Sequence, residues 1–201
     1  MKISNLPRFN LAEFPTPIQY LDVLTKKYNG PAIYMKRDDL TSLGMGGNKT
    51  RKLEFLIGEA LELGKDTLVT AGGIQSNHCR LTAAAAKKAG LGCHLVLNGT
   101  EPKVPNGNLL LDKIFGAKIH FCDRKDRDEM LFQVANELAK TDKNPYVIPV
   151  GGSNGIGSVG YVNAMLELSL QLKDMDITPD AIIFATSSGG TQAGLALGAK
   201  I

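Results

Sequence analysis

The sequence predicts an α/β fold built on parallel sheet. Two observations carry that prediction. From about residue 51 onward, short and nearly continuous apolar runs alternate with segments of helical periodicity, the signature of strands covered by helices on both faces. The turns that join them are rich in glycine and short polar side chains, as expected where a strand ends and a helix begins. In such sheets ligands gather at the carboxyl ends of the strands.

Taken in order, the chain starts irregularly, with Pro7, Pro15 and Pro17, before a short strand at residues 32–36 and a polar, glycine-rich loop at 37–49. Leu53, Leu56, Ile57, Ala60 and Leu61 recur at helical spacing, and Gly64 is placed to end that helix. Residues 67–71 then read as a strand. The alternation continues with helix 80–88, strand 93–97, helix 107–115, strand 118–122, helix 126–140, strand 146–150, helix 158–173 and strand 180–185. No internal repeat or low-complexity linker marks a domain boundary.

Composition narrows the function. The 201 residues are 43% hydrophobic and 21% charged, ordinary globular usage, and a chain of this size buries about 70% of its unfolded surface without needing disulfides. The net charge of +3 is dispersed, so neither a nucleic-acid tail nor a membrane-surface patch is expected. Residues 1–10 carry Lys2 and Arg8 but no apolar signal segment, and no apolar run reaches membrane-spanning length, which points to a cytoplasmic protein. Cys79, Cys93 and Cys122 are isolated, and His78, His94 and His120 fall at no ligand spacing, so neither a disulfide framework nor a metal site is expected. Partners of small-molecule size are left.

Four glycine-containing turns are candidate anion sites, because a helix N-terminus offers unpaired N–H groups and a positive dipole end. Gly44-Met45-Gly46-Gly47-Asn48-Lys49 resembles a nucleotide-binding loop, but Asn48 stands where that loop requires glycine. A lysine at a helix start is disfavoured by the dipole, so something other than helix stability accounts for Lys49. Gly155-Ile156-Gly157-Ser158-Val159-Gly160 matches the dinucleotide pattern, yet residues 151–154 separate it from the strand and no acidic residue follows the next strand. Ser187-Ser188-Gly189-Gly190-Thr191 joins strand to helix with hydroxyls and unobstructed amides, which suits a phosphomonoester. The turn ending Gln75-Ser76-Asn77-His78 suits a carboxylate, although Ser76 or Asn77 could equally serve only as a helix cap.

Together these pieces match one family in order and spacing. Lys36-Arg37-Asp38-Asp39, the run from Gly46 through Lys49 to Phe55, Gln75-Ser76-Asn77-His78, Gly151-Gly152-Ser153-Asn154 and Ser188-Gly189-Gly190-Thr191 resemble the D-cysteine desulfhydrase and 1-aminocyclopropane-1-carboxylate deaminase family. The resemblance implies a pyridoxal 5'-phosphate enzyme with the two-domain tryptophan synthase β-like fold, fold type II. Residues 51–152 would form the small domain, and residues 1–50 and 153–201 an incomplete large one. It further implies Lys49 as the Schiff-base lysine and Asn77 on the cofactor's ring hydroxyl. Ser188, Gly189, Gly190 and Thr191 would hold the phosphate, while Ser76, with Asn77 and His78, would receive the substrate. The implied reaction is α,β-elimination on a small amino acid, with D-cysteine favoured over the cyclopropane substrate because His78 follows Ser76-Asn77 and because of Gly152-Ser153-Asn154, while lyases acting on cysteate share much of the same pattern.

The resemblance also implies a homodimer in the complete form, and a chain continuing past Ile201 to supply a partner for the pyridine nitrogen and the substrate-side tyrosines. Tyr20, Tyr28, Tyr34, Tyr146 and Tyr161 match none of those tyrosines. Weak or absent turnover is therefore expected of this length of chain. Two readings compete with the lyase: an inactive remnant that binds pyridoxal phosphate or a partner, and a dinucleotide-binding fragment resting on residues 155–160.

Overall fold

A computed structural model describes residues 3–201; Met1 and Lys2 of the N-terminal reading lie outside it. Its core is a four-stranded parallel sheet formed by β3 (Thr67–Gly73), β4 (Gly92–Asn98), β5 (Lys118–Cys122) and β6 (Pro145–Val147), in the order β5-β4-β3-β6. Helices cover both faces. Leu68, Leu95 and Leu97 pack against α2 (Lys49–Glu62), α3 (Asn77–Ala89) and α4 (Gly107–Ile114), while Val69, Ala71 and Val96 pack against α5 (Arg127–Ala139). Central β3 is buried through Gly72, which explains its unbroken apolar run.

The chain runs outward from β3 to β5 and then returns to place β6 on the other side of β3. The loops leaving β3 and β6 therefore diverge at the carboxyl ends of those strands, the position at which open α/β sheets form a crevice. Beyond β6 come α6 (Gly155–Asp174) and α7 (Gly190–Gly198), which pack on each other and bring the later glycine turn back to the same end.

Three predicted elements differ. The irregular start contains a strand, β1 (Ile18–Tyr20), and a helix, α1 (Asp22–Tyr28); β1 pairs antiparallel with β2 (Tyr34–Lys36), so one small ribbon departs from the parallel pattern. The strand expected at 146–150 stops at Val147, where Pro149 leads into a tight turn at Val150–Gly152. Residues 180–185 form no ladder with any described strand, and Ile183 is 94% exposed. An apolar run becomes a strand only when a neighbour takes up its backbone hydrogen bonds.

Candidate functional site

Lys49 opens α2, and the preceding loop fixes where it points. Thr41, fully buried, accepts a hydrogen bond from the Gly47 N–H at 2.9 Å and lies 3.2 Å from the Thr50 hydroxyl. Gly46 has φ +71°, and a Cβ there would overlap the Asp39 carbonyl oxygen at 1.9 Å, so only glycine fits the turn. Around it lies a buried ion network. Arg51 bonds both oxygens of Asp38 (2.9 and 2.8 Å) and both of Glu167 (2.9 and 3.0 Å), Lys36 joins Glu167, and the Tyr161 hydroxyl donates to Asp38 at 2.9 Å. Despite burial, these bonds push the Arg51 guanidinium further up.

Lys49 lies on a cavity of about 810 Å³ shared with Asn48, Tyr161, Ser187, Ser188, Gly189 and Thr191. The structure thus joins the lysine and the serine-glycine turn, about 140 residues apart in sequence, in one cleft. Gly189 caps α7 with φ +80°, and nothing stands within 4 Å of where its Cβ would lie; a helix start leaves its first N–H groups unpaired. Ser188 Oγ is 2.7 Å from Ser153 Oγ, which binds the turn after β6 to the turn before α7.

Lys52 is the residue that sequence reasoning missed. It is 1% exposed, and its Nζ donates to Ser153 Oγ at 2.9 Å and to the Gly151 carbonyl at 3.2 Å. A Cβ on Gly190 would lie 2.7 Å from Lys52 Nζ, so the α7 start rests directly on this ammonium. Burial, and then Lys49, push its pKa down to about 8; burial also lowers that of Lys49. Neither lysine meets a carboxylate among the described residues, in contrast to Lys36. Lys49 thus lines the cavity, and Lys52 lies beneath the start of α7, each without a carboxylate partner among the described residues.

Ser76, Asn77 and His78 stand at the α3 N-terminus and do not line this cavity. Ser76 Oγ accepts from the Cys79 N–H at 3.2 Å as the helix cap. Asn77 is exposed at the crevice end of β3. The His78 ring turns into the core, its Nε2 2.9 Å from Thr70 Oγ1, and burial together with Lys49 and Lys52 pushes it down to about 3, so it is neutral. The glycines of residues 155–160 serve packing: Cβ atoms at Gly157 and Gly160 would fall 2.1 Å from the Gly152 carbonyl and 2.2 Å from that of Arg51. Such contact seats α6 against the turn at Val150–Gly152 and against α2. His94 and His120, far apart in sequence, meet across β4 and β5 at 3.0 Å. No group of three or more His, Cys, Asp or Glu side chains among the described residues could hold a metal ion, and no described helix is long and apolar enough to cross a membrane.

Comparison with known proteins identifies the family. The family model described as "Pyridoxal-phosphate dependent enzyme" matches residues 9–201. A Pyrococcus abyssi protein provisionally named 1-aminocyclopropane-1-carboxylate deaminase is 46% identical over 99% of this chain and 60% of its own length. The D-cysteine desulfhydrase of Salmonella paratyphi B is also 46% identical, over 98% of this chain and 61% of its own. Among solved structures, an ACC deaminase homologue superposes with a TM-score of 0.91 at 45% identity, covering 98% of this chain and 59% of that one. A threonine deaminase from "T.th." shares the fold, with a TM-score of 0.76 at 23% identity over 92% of this chain and 55% of that one. The chain thus spans about 60% of the length of the curated relatives it matches. With a family match over nearly its whole length, the chain belongs to the pyridoxal-phosphate dependent enzymes.

Proposed function

We propose that the cleft binds pyridoxal 5'-phosphate through Lys49 and serves α,β-elimination or deamination of a small amino acid, with D-cysteine giving pyruvate, hydrogen sulfide and ammonia as the favoured reaction. The observation that carries this is Lys49 lining one cavity with Ser188, Gly189 and Thr191. The residues fit the cofactor: nothing stands within 4 Å of where a Cβ on Gly189 would lie, and Gly190 admits Lys52 Nζ directly beneath the turn, so that the amides of residues 189–191, the Ser188 and Thr191 hydroxyls and Lys52 would hold the phosphate. When bound, the cofactor's pyridine ring takes up the electron pair left by removal of the α-proton. The desolvated Lys49 amine, with its lowered pKa, would be the base that accepts the α-proton. The α3 N-terminus, with Ser76 and free amides, receives the substrate carboxylate.

The residue split into a small domain at 51–152 and a large one at 1–50 and 153–201 belongs to the same proposal, supported by the four-stranded sheet lying wholly within 67–147. The cyclopropane substrate is a second reading: relatives of both names stand at 46% identity, and the His78 ring that favours D-cysteine in sequence is turned into the core. The test is borohydride reduction of the purified chain with pyridoxal phosphate, followed by peptide mapping and by assay of both substrates. An adduct on Lys49 that is lost in Lys49→Ala is the expected result. An adduct confined to other lysines, or none, overturns the assignment.

A further inference from the structure

We propose that Arg80 is a positioning residue that fixes the Gly46–Gly47 peptide and, through it, the direction in which Lys49 enters the cleft. This deepens the reading of Lys49 as the reacting lysine and rests on it.

That peptide needs a lock. It rotates about ψ of Gly46 and φ of Gly47, and both residues are glycines with positive φ, +71° and +134°, so no Cβ on either one resists the rotation. Lys49 follows two residues later, at the start of α2. The Gly46 carbonyl accepts from Arg80 Nη2 at 2.9 Å, in a bond buried from water. On the other side the Gly47 N–H donates to Thr41 Oγ1 at 2.9 Å and to the Asp38 carbonyl at 3.1 Å. A hydroxyl can donate or accept, so Thr41 tolerates a flipped peptide. The Asp38 carbonyl opposes the flip at the longer distance. A guanidinium only donates; it would meet the flipped N–H as a second donor, and it therefore selects the carbonyl orientation.

Arg80 is placed for this bond and for little else. It stands on α3, 7% exposed, beside Leu81 and Ala84, on which the same loop rests. Cβ atoms at Gly47 and Gly44 would lie 3.2 Å from Leu81 Cδ1 and 2.7 Å from Ala84 Cβ. Arg80 Nε has no hydrogen-bond partner, and Asp112, the acid whose charge acts on it, has none on either oxygen. A buried guanidinium with no carboxylate bonded to it costs stability. The use of Arg80 therefore lies in the carbonyl it holds, and that bond ties the lysine loop to the helix that follows central β3.

The experiment follows single lysines in the cofactor-free chain by trace reductive methylation and peptide mapping over about pH 7 to 11, in the wild type, Arg80→Met and Arg80→Lys. Methionine fills the space, supplies no donor and removes the buried charge, so folding is expected to be kept, with urea unfolding as the check. In Arg80→Met the freed loop admits water to Lys49. The midpoint of its curve is expected to rise toward 10.5, which lowers its neutral fraction at about pH 8.5 by about threefold or more. Lys36, held by Glu167 and the Thr16 carbonyl, keeps its curve. Arg80→Lys returns a cationic donor and is expected to restore the wild-type curve at Lys49. An unchanged Lys49 curve in Arg80→Met, an equal shift at Lys36, an Arg80→Lys curve that follows that of Arg80→Met, or loss of folding in Arg80→Met overturns the proposal. The curves need no cofactor. They decide the placement of Lys49 even if borohydride traps no pyridoxal phosphate on it, a failure that by itself would remove only the cofactor assignment.

Discussion

At the scale of single residues, the two lysines differ in how they can be read. Lys49 follows a run of glycines and breaks the dipole preference of a helix start, so its oddity is local and legible. Lys52 sits three residues into an amphipathic helix, where a lysine ordinarily faces water; what buries it is Ser153 and Gly190, about 100 residues away and more. The depressed pKa of Lys52, about 8 against 10.5, means that its ammonium costs stability when charged, a cost that fades as pH rises from about 8 to 10.5. A bound phosphate reverses that shift. Calorimetry with pyridoxal phosphate at about pH 8.5 in buffers of different ionisation enthalpy should therefore record net proton uptake. Lys52→Met should abolish the uptake and weaken binding on the order of tenfold to a hundredfold. Buffer-independent heats would show that Lys52 does not meet the phosphate.

At the scale of elements, helices with a clear apolar face and the buried strands were legible, because period and burial coincide in them. The ribbon of β1 and β2 was not: each strand has three residues, too short for any pattern to register. Residues 180–185 were legible as apolar but not as unpaired, because pairing is a property of the neighbours. The packing of α4 on α3 conceals a further piece of chemistry. Asp112 is fully buried, neither carboxylate oxygen has a hydrogen bond, and burial pushes its pKa up to about 7 against the attraction of Arg80. Its folded pKa lies above the unfolded 3.8, so its contribution to stability is complete below about pH 4 and is lost as pH rises through 7. Asp112→Asn should raise stability by about 1 to 4 kcal/mol at about pH 8 and leave it nearly unchanged at about pH 4, as measured by urea unfolding at both. A variant equally destabilised at both values would mean that the carboxylate is paired.

At the scale of the whole molecule, the cleft depends on contacts that sequence order separates widely. Thr16 N–H reaches Glu167 across 151 residues and Arg51 reaches it across 116. Glu167→Gln should therefore speed unfolding severalfold while leaving refolding little changed, as read from the two arms of a chevron plot; a slowed refolding arm would place the network in the folding nucleus. The same wide spacing governs the order in which the protein can assemble as it leaves the ribosome. Every strand of the four-stranded sheet is available once residue 147 has emerged, whereas Asp38 and Arg51 must wait about twenty residues more for Glu167. Until then the nascent chain carries a formed sheet beside an open, hydrated cluster of charges, and the lysine of the cleft acquires its dry surroundings only once residues 182–195 have followed.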